Sequence, residues 1–141
     1  MQRVSQARVE VQLQTIASIQ QGICALIGIE KQDTPAKAER LLERMLGYLI
    51  FADTGGKMNL GLMDIQGDLL LVPQFTLPAD TNKGMRPGFS AAASPELGRE
   101  LFHYLLEQAR LKYGKVSAGQ FGTDMQLSLT NDGPVTFWLQ A

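Results

Sequence analysis

The chain has 141 residues, and its 13 Lys and Arg balance 14 Asp and Glu to a formal net charge of −1. That length suits one domain, read as residues 1–141, and a hydrophobic share of 45% with 19% charged residues excludes a disordered chain. One Cys and one His exclude a disulfide framework, the usual zinc cluster and a Cys-x-x-Cys redox pair, while the balanced charge leaves no global field to draw in a polyanion.

At the N-terminus no apolar run follows Arg3, so a secretory leader is not expected, and the lone Cys24 suits a reducing cytoplasm. Val9, Val11 and Leu13 alternate with Arg8, Glu10 and Gln12, which predicts a half-buried strand. Gly22 precedes the apolar run Ile23-Cys24-Ala25-Leu26-Ile27-Gly28-Ile29, a strand buried on both faces in which Cys24 serves as a small core residue. Asp33-Thr34-Pro35 is a helix start, a capping oxygen followed by Pro at the first helical position. Ala38, Leu41, Leu42, Met45 and Leu46 then recur at helical spacing up to Gly47.

Residues 48–51 read as a short strand, Gly55-Gly56 as a turn, and Leu69-Leu70-Leu71-Val72 as another buried strand running into Pro73. A loop without regular structure is expected over 78–93, longer than a compact domain usually carries without a functional reason. Ser94-Pro95 opens a second helix, whose polar arc holds the only histidine, His103. The C-terminus reads as a hairpin: Met125, Leu127 and Leu129 alternate, Thr130-Asn131-Asp132-Gly133-Pro134 turns, and Val135, Phe137 and Leu139 alternate again. Trp138 faces the other way, so that last strand is either sandwiched or used in an interface.

Three segments are candidates for chemistry. Gln74-Phe75-Thr76 ends a buried strand, where sheets of this kind place ligands. Thr76 is either a nucleophile, which requires an adjacent base, or a residue pairing with a neighbouring strand. The stretch from Asp80 to Ser90 carries Lys83, Arg86 and glycines that let backbone amides approach a ligand; it is either a phosphate site or a solvated surface loop. Gly133-Pro134 precedes a strand, and X-Pro bonds are where cis peptides occur, although only about 5–6% of them are cis.

Taken together these segments resemble the D-aminoacyl-tRNA deacylase family over essentially the whole chain. Gln2-Arg3-Val4-Ser5, Gly56-Lys57-Met58-Asn59-Leu60, Gln74-Phe75-Thr76-Leu77, Ala79-Asp80-Thr81, Lys83-Gly84, Arg86-Pro87, Phe89-Ser90, Asp124-Met125-Gln126 and the run from Asn131 to Phe137 stand in family order. Pro73 and Gly88 stand where such proteins usually have Ser, and the chain begins a few residues later than is usual.

The resemblance implies an α+β fold with mixed sheets forming a barrel-like core, two main outer helices, and a homodimer whose interface lies near the C-terminal hairpin. It also implies hydrolysis of the ester joining a D-amino acid, or glycine, to the terminal adenosine of tRNA, with no cofactor, metal, membrane or DNA partner. On that resemblance Gly133-Pro134 is cis and reaches into the partner's site, where with Met125 it holds the substrate and excludes L side chains. Main-chain amides near Phe75 and Thr76, in a site shared with Gln74, polarise the carbonyl. The ribose 2′-OH assists water, and Lys83 and Arg86 meet the RNA. Two other readings remain open on the residues alone: a Thr76-nucleophile esterase or amidase, and a non-catalytic oligomer that binds a phosphate ligand.

Overall fold

A computed structural model describes residues 1–141. Strand β1 (Gln2–Val11) is the hub of the sheet. One of its edges pairs antiparallel with β2 (Gln14–Ile19) and β3 (Gly22–Ile27), and the other with β8 (Gln126–Thr136). β3 continues in parallel with β6 (Asp68–Pro73), which pairs in parallel with β7 (Val116–Ala118). β2 meets β6 and β7 across the interior, so the mixed sheet curls into a nearly closed, barrel-like form.

Two long helices cover the outside. The hydroxyl of Thr34 accepts the Lys37 amide at 3.3 Å to start α1 (Pro35–Gly47), and Ser94 accepts the Leu97 amide at 3.2 Å to start α3 (Pro95–Lys112). Each cap satisfies one donor that the first turn leaves without a helical partner. Leu42, Met45 and Leu46 of α1, with Phe102, Leu105 and Ala109 of α3, bury against Ile23, Ala25, Leu69 and Leu71. The opposite faces of the same strands, through Cys24, Leu70 and Val72, fill the barrel interior with Val4, Val9 and Ile19. β3 and β6 are thus buried on both sides, as their unbroken apolar runs suggest; each fully buried side chain of this kind contributes about 1.5–3 kcal/mol.

The chain departs from the sequence reading at both ends. Leu13 does not continue the first strand. It sits with Gln12 at the tip of the β1–β2 hairpin, both at positive φ (67° and 49°), and is 93% exposed. The alternation that includes Leu13 is real, but Val11 pairs with Gln14, so the turn takes the two residues between them.

The C-terminal hairpin is not formed either. β8 runs along β1 in one direction throughout, Thr130 opposite Gln6, Asn131 opposite Val4 and Thr136 opposite Gln2. Asp132, Gly133 and Pro134 of the expected turn, with Val135 after them, bulge outward where β1 offers only Arg3. The Asn131 side chain closes the bulge: its Oδ1 accepts the Val135 amide at 2.6 Å and its Nδ2 donates to the Val135 carbonyl at 3.2 Å.

The strand expected over 48–51 shrinks to β4 (Phe51–Ala52), which forms a small hairpin with β5 (Met58–Leu60) around the Gly55-Gly56 turn. A short third helix, α2 (Leu62–Ile65), and the strands β2, β5 and β7 add to the elements read from sequence. His103 lies on the exposed face of α3 and Cys24 is fully buried. No helix is long and apolar enough to cross a membrane.

Candidate active site

Segment 74–76 begins where the β3–β6 ladder stops. The Gln74 amide donates to the Ile27 carbonyl at 2.8 Å, then the chain turns, with Leu77 N donating to Gln74 O at 3.2 Å and Ala79 N to Thr76 O at 3.1 Å. The amides of Phe75 and Thr76 between them donate to nothing within the chain, and both residues are exposed. Two successive N–H groups left free in a turn at the end of a buried strand can donate to an oxygen bearing negative charge.

The Gln74 Nε2 donates to Thr76 Oγ1 at 2.5 Å. No carboxylate or imidazole hydrogen-bonds that hydroxyl; the one imidazole, His103, stands on the outside of α3 beside Glu107 and Arg110. Nor is there any group of three or more His, Cys, Asp or Glu side chains placed to hold a metal ion.

Met125 shares the surroundings of Gly119 with Pro73, the residue before this segment. Its sulfur accepts the Gln120 amide at 3.4 Å, and an added Cβ on Gly119 would stand 2.8 Å from that sulfur and 3.3 Å from Pro73 Cδ. The missing side chain at Gly119 therefore leaves room for both the thioether and the last residue of β6. Phe121 anchors the same loop, 6.4 Å from the Phe102 ring and with the Arg99 guanidinium 5.4 Å over its face. Gly119, Gln120 and Phe121 escape a sequence reading because the stretch has no periodicity; the spacing of Gly119 and Gly122 is the only local sign of a tight backbone approach.

The 80–88 loop is clipped shut by Asp80 N to Gly88 O at 2.7 Å and Gly88 N to Asp80 O at 2.9 Å. The stretch expected to lack structure is thus tied at its base, while Lys83 and Arg86 project from its tip, exposed and outside every ion pair. Phe75 and Phe89 connect the loop to segment 74–76, their ring centroids 5.8 Å apart.

Gly133 and Pro134 form a separate exposed ridge, and the peptide bond between them is cis. Arg3 holds the ridge from beneath: its Nε donates to Asp132 O at 2.8 Å and its Nη1 to Ile50 O at 2.8 Å. The Gly133 backbone has φ +141°, and a Cβ there would lie 2.6 Å from Val135 Cγ2 and 3.1 Å from Arg3 Nη2, so any other residue is strained there. The side-chain partners of this ridge are Arg3 and Asn131; none belongs to segment 74–76. A cavity of about 440 Å³ between α1, the end of β3 and residues 136–141 is lined by none of the eight candidate residues, although Leu77 and Pro78 form part of its wall.

Residues 1–140 match the family described as D-Tyr-tRNA(Tyr) deacylase. A protein of Nitrosococcus oceani named D-aminoacyl-tRNA deacylase is 59% identical over 140 residues, 99% of this chain and 90% of its own length. One of the same name from Pseudomonas syringae pv. tomato is 59% identical over 137 residues, 97% of this chain and 94% of its own. Among solved structures, one titled c-Myc DNA Unwinding Element Binding Protein superposes with TM-score 0.95 at 38% identity, covering 99% of this chain and 95% of that one. Another, titled a probable eukaryotic D-amino acid tRNA deacylase, shares the fold at TM-score 0.83 and 17% identity, covering 94% and 92%. The chain belongs to the D-Tyr-tRNA(Tyr) deacylase family.

Proposed function

We propose that residues 1–141 form one hydrolase unit that removes D-amino acids, and mischarged glycine, from the 3′ end of tRNA. The observation that carries this reading is the pair of unengaged amides at Phe75 and Thr76, next to a hydroxyl that has no base. Water adds to the ester carbonyl, and the resulting oxyanion is met by the two N–H groups. The terminal ribose 2′-OH assists the attack, and the 3′-oxygen leaves with the proton to regenerate free tRNA. The products are the amino acid and tRNA, and no side-chain nucleophile or base takes part.

Selection against L substrates falls to Gly133 and Pro134 of a second copy, so the working form is a homodimer acting in the cytoplasm. This fits the ridge's exposure and its support by Arg3 and Asn131, which fix it as a rigid probe. Met125 bounds the acyl end of the site, and Lys83 and Arg86 meet the RNA backbone. A near-neutral chain suffices, because the contact is confined to the acceptor end.

The deciding experiment is parallel deacylation of D-tyrosyl-, L-tyrosyl- and glycyl-tRNA, with a D-tyrosyl-tRNA ending in 2′-deoxyadenosine as a fourth substrate. Rapid cleavage of the D and glycyl esters, sparing of the L ester and loss of turnover on the deoxy substrate are expected. Equal handling of D and L esters defeats the selection mechanism, and full activity on the deoxy substrate removes the ribose from it.

A further inference from the structure

Phe75 and Phe89 make an aromatic pair on the surface, their planes inclined by 36° and the residues 69% and 43% exposed. The pair Phe102 and Phe121 serves the core through a fully buried Phe102, whereas Phe75 and Phe89 leave ring surface facing water. Exposed aromatic surface of this kind marks a place where something binds.

The neighbourhood specifies what. Between the two rings in sequence lie Lys83 and Arg86, neither in an ion pair. The one acid of that loop, Asp80, is engaged within the loop, its Oδ1 accepting Asn82 N at 2.9 Å and Asn82 Nδ2 at 2.7 Å. The Phe89 carbonyl accepts Ala92 N at 3.1 Å, and the Asp80–Gly88 clip adjoins the ring's own backbone, so the platform is held before any ligand arrives. Ring faces flanked by free cations are what an unpaired nucleic-acid strand uses, its bases on the rings and its phosphates on the cations.

We propose that Phe75 and Phe89 form a stacking platform for the base of the nucleotide just 5′ of the esterified adenosine. This rests on the deacylase reading for the direction of the strand. With the ester carbonyl at the Phe75 and Thr76 amides, the strand leaves over the two rings toward Lys83 and Arg86.

The test compares wild type, Phe89→Leu and Phe89→Tyr, all checked for folding by circular dichroism. Three measurements are made: kinetics on D-tyrosyl-tRNA, kinetics on D-tyrosyl-adenosine, which has no 5′ nucleotide, and anisotropy of a labelled CCA trinucleotide. Phe89→Leu is expected to raise KM on the tRNA by about tenfold at little-changed kcat and to weaken CCA binding by about tenfold, the loss of one base stack. The loss is confined to ligands that carry the 5′ nucleotide, and Phe89→Tyr restores it. An unchanged KM and CCA affinity, an equal KM rise on both substrates, or a failure of Tyr to restore binding overturns the platform. Phe89-dependent CCA binding without any deacylation would keep the platform and remove the deacylase reading; deacylation indifferent to Phe89 would do the reverse.

Discussion

The Gln74 side-chain amide donates a 2.5 Å hydrogen bond to the Thr76 hydroxyl, so the one hydroxyl beside the unengaged amides is bound by a donor and not by a base. A nucleophilic Thr requires a group that takes its proton, and a carboxamide N–H cannot do so. The arrangement makes Thr76 a ligand of Gln74 and leaves its backbone amide as the functional group.

Thr76→Ala should therefore retain deacylation of D-tyrosyl-tRNA to within about tenfold of wild type. Loss of an essential nucleophile costs on the order of 10⁴–10⁶ in kcat. Single-turnover kinetics with mass spectrometry of the quenched enzyme provide the check: a drop of that larger size, with an acyl-enzyme detected in wild type, restores Thr76 as nucleophile.

Gly133→Ala should damage both fold and selection. The new methyl meets Val135 Cγ2 at 2.6 Å and Arg3 Nη2 at 3.1 Å, on a backbone of φ +141° that L residues avoid. A cost of about 1–3 kcal/mol, or roughly 3–9 °C in Tm, is expected, together with a fall in the D-over-L ratio of kcat/KM. A variant with wild-type Tm and ratio would show that the close approach of Arg3 to the ridge is unimportant.

Alkaline pH should destabilise the protein through Cys24. Burial pushes this thiol up from 9.0 to about 11, with the N-terminal ammonium acting weakly in the opposite direction. A folded-state value above the unfolded one means that the thiol's contribution is complete below pH 9 and is lost as pH rises toward 11. The slope is about 1.4 kcal/mol per pH unit, for a total of about 3 kcal/mol. Urea unfolding at pH 8, 9.5 and 11 measures it, and Cys24→Ala should flatten the curve by that amount; an identical pH dependence in the variant would rule the thiol out.

The β1–β2 hairpin tip can be improved. Gln12 and Leu13 both occupy the left-handed region, which costs an L residue other than Asn or Asp about 1–2 kcal/mol. Combining Gln12→Asn with Leu13→Gly supplies the Asn-Gly pair that a two-residue turn prefers, and should add about 1 kcal/mol, or roughly 2–4 °C in Tm. Since Leu13 is 93% exposed, no core contact is lost. Unchanged or lowered Tm would show that the tip carries no strain.

Local signals in the sequence determined the elements whose periods and caps are self-contained. Thr34-Pro35 and Ser94-Pro95 start helices because their hydroxyls reach amides only three residues on. The runs around Ile23 and Leu69 are buried on both faces because they carry no polar residue to turn toward water. The outward position of the only histidine was also legible, since helical periodicity puts His103 on the polar arc of α3.

Tertiary structure decided what depended on partners far along the chain. Leu13 and Val11 look alike in a period-2 pattern, and only the pairing of Val11 with Gln14 puts the turn between them. Asn131-Asp132-Gly133-Pro134 has every mark of a reversal, yet β1 pairs with the residues on both sides and keeps the chain running straight. A turn signal states that the backbone can bend; long-range pairing determines whether the bend reverses the strand or lifts a ridge from it. Only the family resemblance pointed to the amides of Phe75 and Thr76; that they are unengaged depends on what the rest of the fold leaves unoffered, and that cannot be read along a single segment.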